Sequence, residues 1–535
     1  MAVSSTMPTS STVIETKPDK AKLHIKPGCE WSSIMKAAKA ATPEAFSDSC
    51  GLLNLISGVW NSPGADKVIT TPNDGSELGT LPMLDKAYAL KAVAASAAEA
   101  PAWAATPLDT RIEKVREACR QMKTHRDTIA GLLMWEIGKP WATAGSDIDR
   151  CISGVEWYCD NIGTMMQGRK ALGLVSNIAS WNYPLSVLMH AVLVQNLAGN
   201  ATIAKTPTDG GGYAIGVCMA IARRCGIPVS QIAGPGGPLS EALVRHDRID
   251  CLSFVGGRAT GRNIAIELID TSKRYMLEME GLNAFGVWEF SQWPLLAAQL
   301  KKSYDYGKQR CTAYPRFVVQ RKLLHSFLDM YFGVVKGLKF GHHAAVANDA
   351  DPLPTLDFGP LINAKKIEEL QGMFDEATGK GAMPIYHASL SDGQFLPGQK
   401  TDSYFAPAAV LGVERGCRLY NAEPFGPLDS IVVVDRLEDL VTEMNVSNGS
   451  LCCSLATDDA ALAARVRPEL RGFKFGHNIT RSRGDKEEPF GGKGESWKGC
   501  FVGGKHLVRA VTQGDGDDEL AGNFPEFFRC PDDPK

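Results

Sequence analysis

The sequence predicts an α/β protein organised around a doubly wound sheet. Two observations carry this. Between residues 171 and 269 short apolar strands alternate with helices, each pair about the length of a β-then-α unit, and after residue 286 the same texture starts again. A third observation concerns size. With 535 residues the chain exceeds one ordinary domain, so two or more cores are expected. In such folds ligands bind at the carboxyl ends of the strands, which is where candidate residues are sought.

Residues 1–50 read as an N-terminal extension, partly disordered. The part up to Lys22 is polar and contains Pro, and 31–41 can form a short amphipathic helix. Residues 53–60 read as a strand and turn. Residues 84–104 are Ala-rich and helical. One long helix is expected over 109–136, stopped by Gly138-Lys139-Pro140, and a third over 147–163. The alternation then begins: a strand at 172–178 before the Trp181-Asn182 turn, a strand at 201–204 ended by Lys205-Thr206-Pro207-Thr208, and a helix at 213–225. A strand at 251–255 and a helix at 260–269 follow. After residue 286 a helix at 293–306 leads to Cys311, a strand at 316–320 follows, and α/β texture continues to about 475. A Gly-rich segment, Pro489-Phe490-Gly491-Gly492-Lys493, comes next. The acidic segment 514–535 is expected to be a solvated tail.

Hydrophobic residues make up 44% and charged residues 22%, as in globular proteins that fold in water. The net charge of -3 gives no reason to expect nucleic acid or an anionic membrane as partner. No apolar run approaches the ~20 residues that span a bilayer. Fourteen cysteines without repeating spacing read as free thiols in a reducing compartment, hence a cytoplasmic protein. No Cys-x-x-Cys or His-Glu-x-x-His occurs, so no metal site is expected. His342-His343 reads as a polar loop and Cys452-Cys453 as a buried strand. Residues 1–16 lack both arginine and an apolar core, as neither a secretory signal nor a transit peptide does.

Five stretches carry candidate chemistry. Cys311, in Gly307-Lys308-Gln309-Arg310-Cys311, lies in a polar turn beside two cations that favour the thiolate if they point inward; buried packing is the alternative. Asn182 stands past a strand end between Trp181 and Tyr183-Pro184. Its amide either closes an Asx turn or donates to an oxyanion. Glu278 interrupts the apolar strand Tyr275-Met276-Leu277-Glu278-Met279, where a carboxylate serves either as a general base or in a salt bridge. Lys205 ends a buried strand and suits a cofactor's ribose or phosphate, unless it is merely solvated. Phe254-Val255-Gly256-Gly257, leading to Gly261, offers backbone amides to a pyrophosphate. No Gly-x-Gly-x-x-Gly occurs. Gly499 to Lys505 nearly matches a phosphate-binding loop, but His506 stands where Ser or Thr must hold magnesium.

Taken in order, these elements resemble the aldehyde dehydrogenase superfamily from about residue 52 to 513. The matching segments are Glu136-x-Gly138-Lys139-Pro140, Trp181-Asn182-x-Pro184, Lys205, Phe254-x-Gly256, Leu277-Glu278, Gln309-x-Cys311, Glu423-x-Phe425-Gly426-Pro427 and Pro489-Phe490-Gly491-Gly492. The resemblance implies a Rossmann-like cofactor-binding domain (51–285) and an α/β catalytic domain (286–475). A small β bridging element near 165–172 would meet an oligomerisation strand within 476–513, giving a homodimer or homotetramer. It implies that Cys311 attacks an aldehyde to form a thiohemiacetal and then a thioester, with the oxyanion held by Asn182 and the Cys311 N–H. Glu278 would activate the hydrolytic water. Lys205 would bind the adenosine ribose, Glu423 the nicotinamide ribose, and Phe425 and Trp181 would flank the nicotinamide.

Departures from the family pattern sharpen the expectation. The glutamate usual three residues after the lysine is Thr208 here, which removes a carboxylate that repels a 2′-phosphate. The cofactor expected is therefore NADP or NAD, with NADP or dual use favoured. Gly257 replaces a serine, and Glu-Leu-Gly-Gly-Lys becomes Glu278-Met279-Glu280-Gly281-Leu282. Two alternatives remain: a coenzyme A-acylating relative, which retention of Glu278 argues against, and an inactive relative serving as a binding subunit. The aldehyde is not legible; Arg481 and Arg483 suit an acidic substrate, while Trp157, Tyr158 and Trp181 hint at an apolar one.

Overall fold

The protein is described here from a computed structural model covering residues 22–447, 449–482, 486–516, 518 and 520–531. The expectations for residues 1–21 and for Arg483 lie outside the described residues.

The first sheet follows from the Val-, Ile- and Ala-rich runs read as strands. Its strand order is Phe528–Arg529, Gly522–Asn523, Trp497–Cys500, Arg274–Met279, Cys251–Gly256, Leu174–Ala179, Ala201–Lys205, Val229–Ile232, Asn54–Ile56, Val59–Asn61. The five central strands are parallel. The chain enters this parallel core at Leu174–Ala179, builds outward through Ala201–Lys205 and Val229–Ile232, then crosses back to Cys251–Gly256. The order thus reverses between Leu174–Ala179 and Cys251–Gly256, and a crevice opens at their carboxyl ends. Trp181 and Asn182 follow one of these strands, and Gly257 follows the other.

The second sheet runs Met383–His387, Ala408–Leu411, Leu428–Val434, Arg316–Gln320, Ala284–Val287, Cys452–Ala456, Lys474–His477. All pairs are parallel except the Met383–His387 edge. The α/β reading thus holds in both halves of the chain. Cys311 lies in the loop that enters the central strand Arg316–Gln320. Outside both sheets, Arg169–Ala171 pairs antiparallel with Thr512–Gly514.

Several expectations need correction. The helix expected over 109–136 is two, Leu108–Thr124 and Arg126–Ile137, broken at His125 (φ -99°, ψ 16°). Leu108–Thr124 buries one face, whereas every residue from Ile129 to Ile137 is buried, so the break turns the second helix into the core. No Gly or Pro marks this break in the sequence. The helix before Cys311 ends at Ser303, and the turn after it holds Tyr306, Gly307 and Lys308 at φ 59°, 60° and 58°.

The segment from Lys22 onward is not a loose extension. His24–Ile25 pairs with Ala345–Val346. Trp31 opens the helix Trp31–Ala41 and donates its indole N–H to the Leu78 carbonyl at 2.8 Å. His342 and His343 are buried and stacked on each other beneath Trp135, not a polar loop. Burial pushes the His342 pKa down to about 4, so the pair is neutral. The acidic tail is not simply solvated either: Asp518 is ion-paired to Arg169 (2.6 Å) and Arg274 (3.3 Å), and the last strands extend the first sheet. Two cations on the sheet rim provide the physical reason. Among the described residues no helix is long and apolar enough to cross a membrane.

Candidate active site

The loop that carries Cys311 is held by three amide side chains: Asn182 and Gln309, which stand in the segments singled out above, and Asn283, which does not. Asn283 is fully buried and donates to the backbone carbonyls of Cys311 (2.7 Å) and Ala313 (2.8 Å). Its own oxygen accepts from the Cys452 N–H at 2.9 Å. Gln309 donates to the Pro360 carbonyl at 3.2 Å and accepts from the Ile362 N–H at 3.1 Å. Asn182, 7% exposed, donates to the Gln309 carbonyl at 3.0 Å, which ties the Trp181-Asn182 turn of the first sheet to the cysteine loop.

Cys311 lines a cavity of about 160 Å³, together with Arg150, Tyr183, His190, Arg310 and Lys486. The Glu278 carboxylate lies near enough for its charge to act on the thiol. Burial first, then the charges of Glu278 and Glu423, hold the Cys311 pKa well above that of a free thiol. The resting group is therefore a thiol, with the Glu278 carboxylate as a charged neighbour. Glu278 itself is 2% exposed and is the penultimate residue of the strand Arg274–Met279, opposite Val255 and Trp497.

The expected activation by Lys308 is not realised. With its backbone in the left-handed region, Lys308 turns its fully buried ammonium away to Asp429 and to the Tyr314 carbonyl (3.0 Å). Asp429 also accepts from the Tyr304 (2.6 Å) and Tyr331 (2.9 Å) hydroxyls. This satisfied ionic network lies under the loop and fixes it. Arg310 does border the cavity, while its guanidinium donates to the Lys302 (2.9 Å) and Ser303 (3.2 Å) carbonyls. Arg481 is committed to Glu488.

The cofactor candidates sit along the crevice. Glu423 is 3% exposed, and neither carboxylate oxygen forms a regular hydrogen bond, only the Gly281 backbone amide lying near. Burial, and secondly Glu280, push its pKa well up. A buried carboxylate lacking partners suits the two hydroxyls of a ribose. Phe425 adopts φ 51°, uncommon for a bulky residue, and meets Trp181 edge-on at 6.0 Å. Gly257 has open space before it at the start of the helix Arg258–Leu268. Gly256 lies at the end of the strand Cys251–Gly256, and Gly261 is in the first turn, its amide bonded to the Gly257 carbonyl at 3.0 Å. Gly261 is instead a close-packing position, since a Cβ there would lie 2.5 Å from Met279. The first helix amide, at Arg258, is taken by Glu280 at 3.1 Å.

Lys205 is largely buried, donates to the Thr206 carbonyl at 3.3 Å, and has its pKa lowered to about 8, by burial first. Thr208 follows on the same loop, and its carbonyl accepts from Lys67 at 2.7 Å. Lys67 was not singled out by the sequence. Among the described residues no group of three His, Cys, Asp or Glu side chains forms a metal site.

A parallel sheet with a crevice at its switch point and a buried carboxylate on one of its strands, facing a half-buried cysteine in the loop that enters a second sheet, fits a dinucleotide-dependent enzyme. The family model for the aldehyde dehydrogenase family matches residues 60–514, close to the span of the resemblance in the sequence. The chain belongs to the aldehyde dehydrogenase family. It is 24% identical over 482 residues to the NADP-dependent glyceraldehyde-3-phosphate dehydrogenase of Streptococcus equinus, covering 86% of this chain and 96% of the relative. It is 28% identical over 416 residues to the N-succinylglutamate 5-semialdehyde dehydrogenase of Novosphingobium aromaticivorans, covering 74% and 84%. Among solved structures, betaine aldehyde dehydrogenase from Staphylococcus aureus in complex with NAD+ matches with TM-score 0.79 and 21% identity, over 90% of this chain and 96% of that one. The NADP-dependent glyceraldehyde-3-phosphate dehydrogenase from Bacillus halodurans complexed with NADP gives 0.77 and 23%, over 86% and 98%. The protein is an NAD(P)-dependent aldehyde dehydrogenase, which oxidises an aldehyde to its acid.

Proposed function

We propose that oxidation proceeds through a Cys311 thioester hydrolysed with the help of Glu278. The observation that carries this is the buried Glu278 carboxylate, whose charge acts on the thiol of Cys311 beside the cavity that Cys311 lines. Glu278 accepts the thiol proton as sulfur attacks the aldehyde carbon, which gives a thiohemiacetal. The oxyanion meets the Asn182 amide and the Cys311 N–H. A nicotinamide held here would supply the hydride acceptor, and collapse of the oxyanion leaves Cys311 as a thioester. Glu278 passes the thiol proton to solvent and takes another from the water that attacks the thioester, and the acid departs as the Cys311 thiolate is released. Glu423 would hold the nicotinamide ribose and Lys205 the adenosine ribose. A hydrolytic base beside the nucleophile disfavours transfer to coenzyme A.

The substrate we infer is a small aldehyde with an anionic terminus. Arg150, Arg310 and Lys486 border the cavity, and no carboxylate does so among the described residues. The relatives named for a phosphate- or carboxylate-bearing aldehyde point the same way. Thr208 in place of a carboxylate supports NADP or dual use. The paired strands Arg169–Ala171 and Thr512–Gly514 suit sheet extension into a homodimer or homotetramer, which light scattering on the eluting protein would reveal and a monomeric mass would refute. Fourteen free cysteines suit a reducing, cytoplasmic location.

The deciding experiment follows nicotinamide reduction with phosphorylated, carboxylated and uncharged aldehydes, in wild type and Cys311→Ala. Activity confined to wild type and strongest with anionic aldehydes is expected. Activity that survives in Cys311→Ala overturns the mechanism, and a preference for uncharged aldehydes overturns the substrate class.

A further inference from the structure

A pair of lysines at the far end of the crevice is unaccounted for by the catalytic machinery. Lys67 belongs to the hairpin Ala65–Thr70 and Glu77–Met83, which joins neither large sheet. It nevertheless reaches the loop after Ala201–Lys205, where its ammonium donates to the Thr208 carbonyl at 2.7 Å. Lys67 and Lys205 are close enough for each charge to act on the other, and the Lys67 charge helps burial to lower the Lys205 pKa. Neither ammonium has an ion-pair partner within 4.0 Å among the described residues. Asp209, the carboxylate that acts on Lys205, is exposed and beyond that distance. Two like charges brought to one loop by segments distant in sequence, with no carboxylate in contact with either among the described residues, make a receptor for an anion.

The place in the fold selects which anion. The strand Ala201–Lys205 is next to the strand that bounds the crevice, and the reading above puts the adenosine ribose at Lys205. The helix start at Gly257, across the crevice, where a Cβ would meet open space and Glu280 takes only the first amide, is the place for the diphosphate. What remains near Lys205 and Thr208 is the ribose 2′ position. There NAD carries a neutral hydroxyl, whereas NADP carries a phosphomonoester with about 1.5 to 2 negative charges at pH 7.

We propose that Lys67, from outside the dinucleotide-binding units, binds the 2′-phosphate of NADP jointly with Lys205 and discriminates NADP from NAD. The proposal rests on the reading of Thr208 as permissive for NADP. Loss of one charge-assisted hydrogen bond to a phosphate weakens binding about 10- to 100-fold, and only for ligands that carry that phosphate.

The test is calorimetric titration of the full-length protein with NADP, NAD, 2′,5′-ADP and 5′-AMP, in wild type, Lys67→Met and Lys67→Arg. Lys67→Met is expected to lose 10- to 100-fold in affinity for NADP and 2′,5′-ADP, with NAD and 5′-AMP unchanged within twofold. Lys67→Arg is expected to retain most of the affinity. Retained NAD binding also shows that the variant is folded. Wild type that binds 2′,5′-ADP no better than 5′-AMP overturns the NADP reading and the Lys67 role together. A wild-type preference that survives in Lys67→Met overturns the Lys67 role alone. Equal losses for all four ligands assign Lys67 to support of the loop through Thr208 and likewise overturn it.

Discussion

Asn283→Ala removes the side chain that makes three buried hydrogen bonds around the nucleophile: to the Cys311 carbonyl, to the Ala313 carbonyl and from the Cys452 N–H. At a net contribution of about 0.5–1.5 kcal/mol each, their loss costs roughly 1.5–4.5 kcal/mol. For a chain of this size 1 kcal/mol moves the melting temperature by about 1–2 °C, so a fall of roughly 2–9 °C is expected. The larger consequence is for chemistry. The Cys311 carbonyl is one bond from the Cα that carries the thiol, and releasing it lets the sulfur move relative to the Asn182 amide. A displacement of about 1 Å costs on the order of a hundredfold in rate. Asn283→Ala is therefore expected to lower kcat about 10- to 100-fold, while cofactor affinity stays within twofold, because Glu423 and Lys205 are untouched. Steady-state kinetics, cofactor titration and a melting curve together read this out. A variant that melts within 1 °C of wild type with unchanged kcat would refute the reasoning, as would loss of cofactor binding in parallel with kcat.

Two further predictions concern charge. Glu278→Gln keeps the shape of the base but cannot take a proton. It is expected to slow turnover at least 100-fold, and denaturing mass spectrometry should trap whatever acyl-enzyme forms; turnover within tenfold of wild type would exclude Glu278 as the base. Lys205, with its pKa at about 8 in the free protein and Lys67 and Asp209 as its charged neighbours, is protonated below that pH and neutral above it. NADP affinity is accordingly expected to be full below pH 8 and to fall as the pH rises through that value. Lys205→Met should bind weakly with no such fall. A wild-type dissociation constant that is flat from pH 7 to 9.5 would refute the assignment.

Much of the site was legible because its chemistry is local. Cys311, Glu278, Asn182 and Glu423 stand in short segments whose order identifies the family, and apolar alternation located the strands of the first sheet. Direction was less legible. The sequence places Lys308 three residues from Cys311, but three consecutive left-handed residues send its ammonium to Asp429, 121 positions away. The break at His125 carries no Gly or Pro. The burial of Asp518 in an acidic tail depends on Arg169 and Arg274, which no window around the tail contains.

The sequence alone determined the fold class and the family and singled out Cys311 and Glu278 as candidates, because residue type and spacing along one chain suffice for these. Only the tertiary structure decided what holds Cys311 in place and which lysine reaches Thr208. Asn283 meets Cys452 across 169 positions and Lys67 meets Thr208 across 141. Such contacts are made when separate elements pack together. They leave no periodicity in the chain, so they exist only once neighbouring strands of the second sheet have paired and the hairpin has packed against the loop of the first.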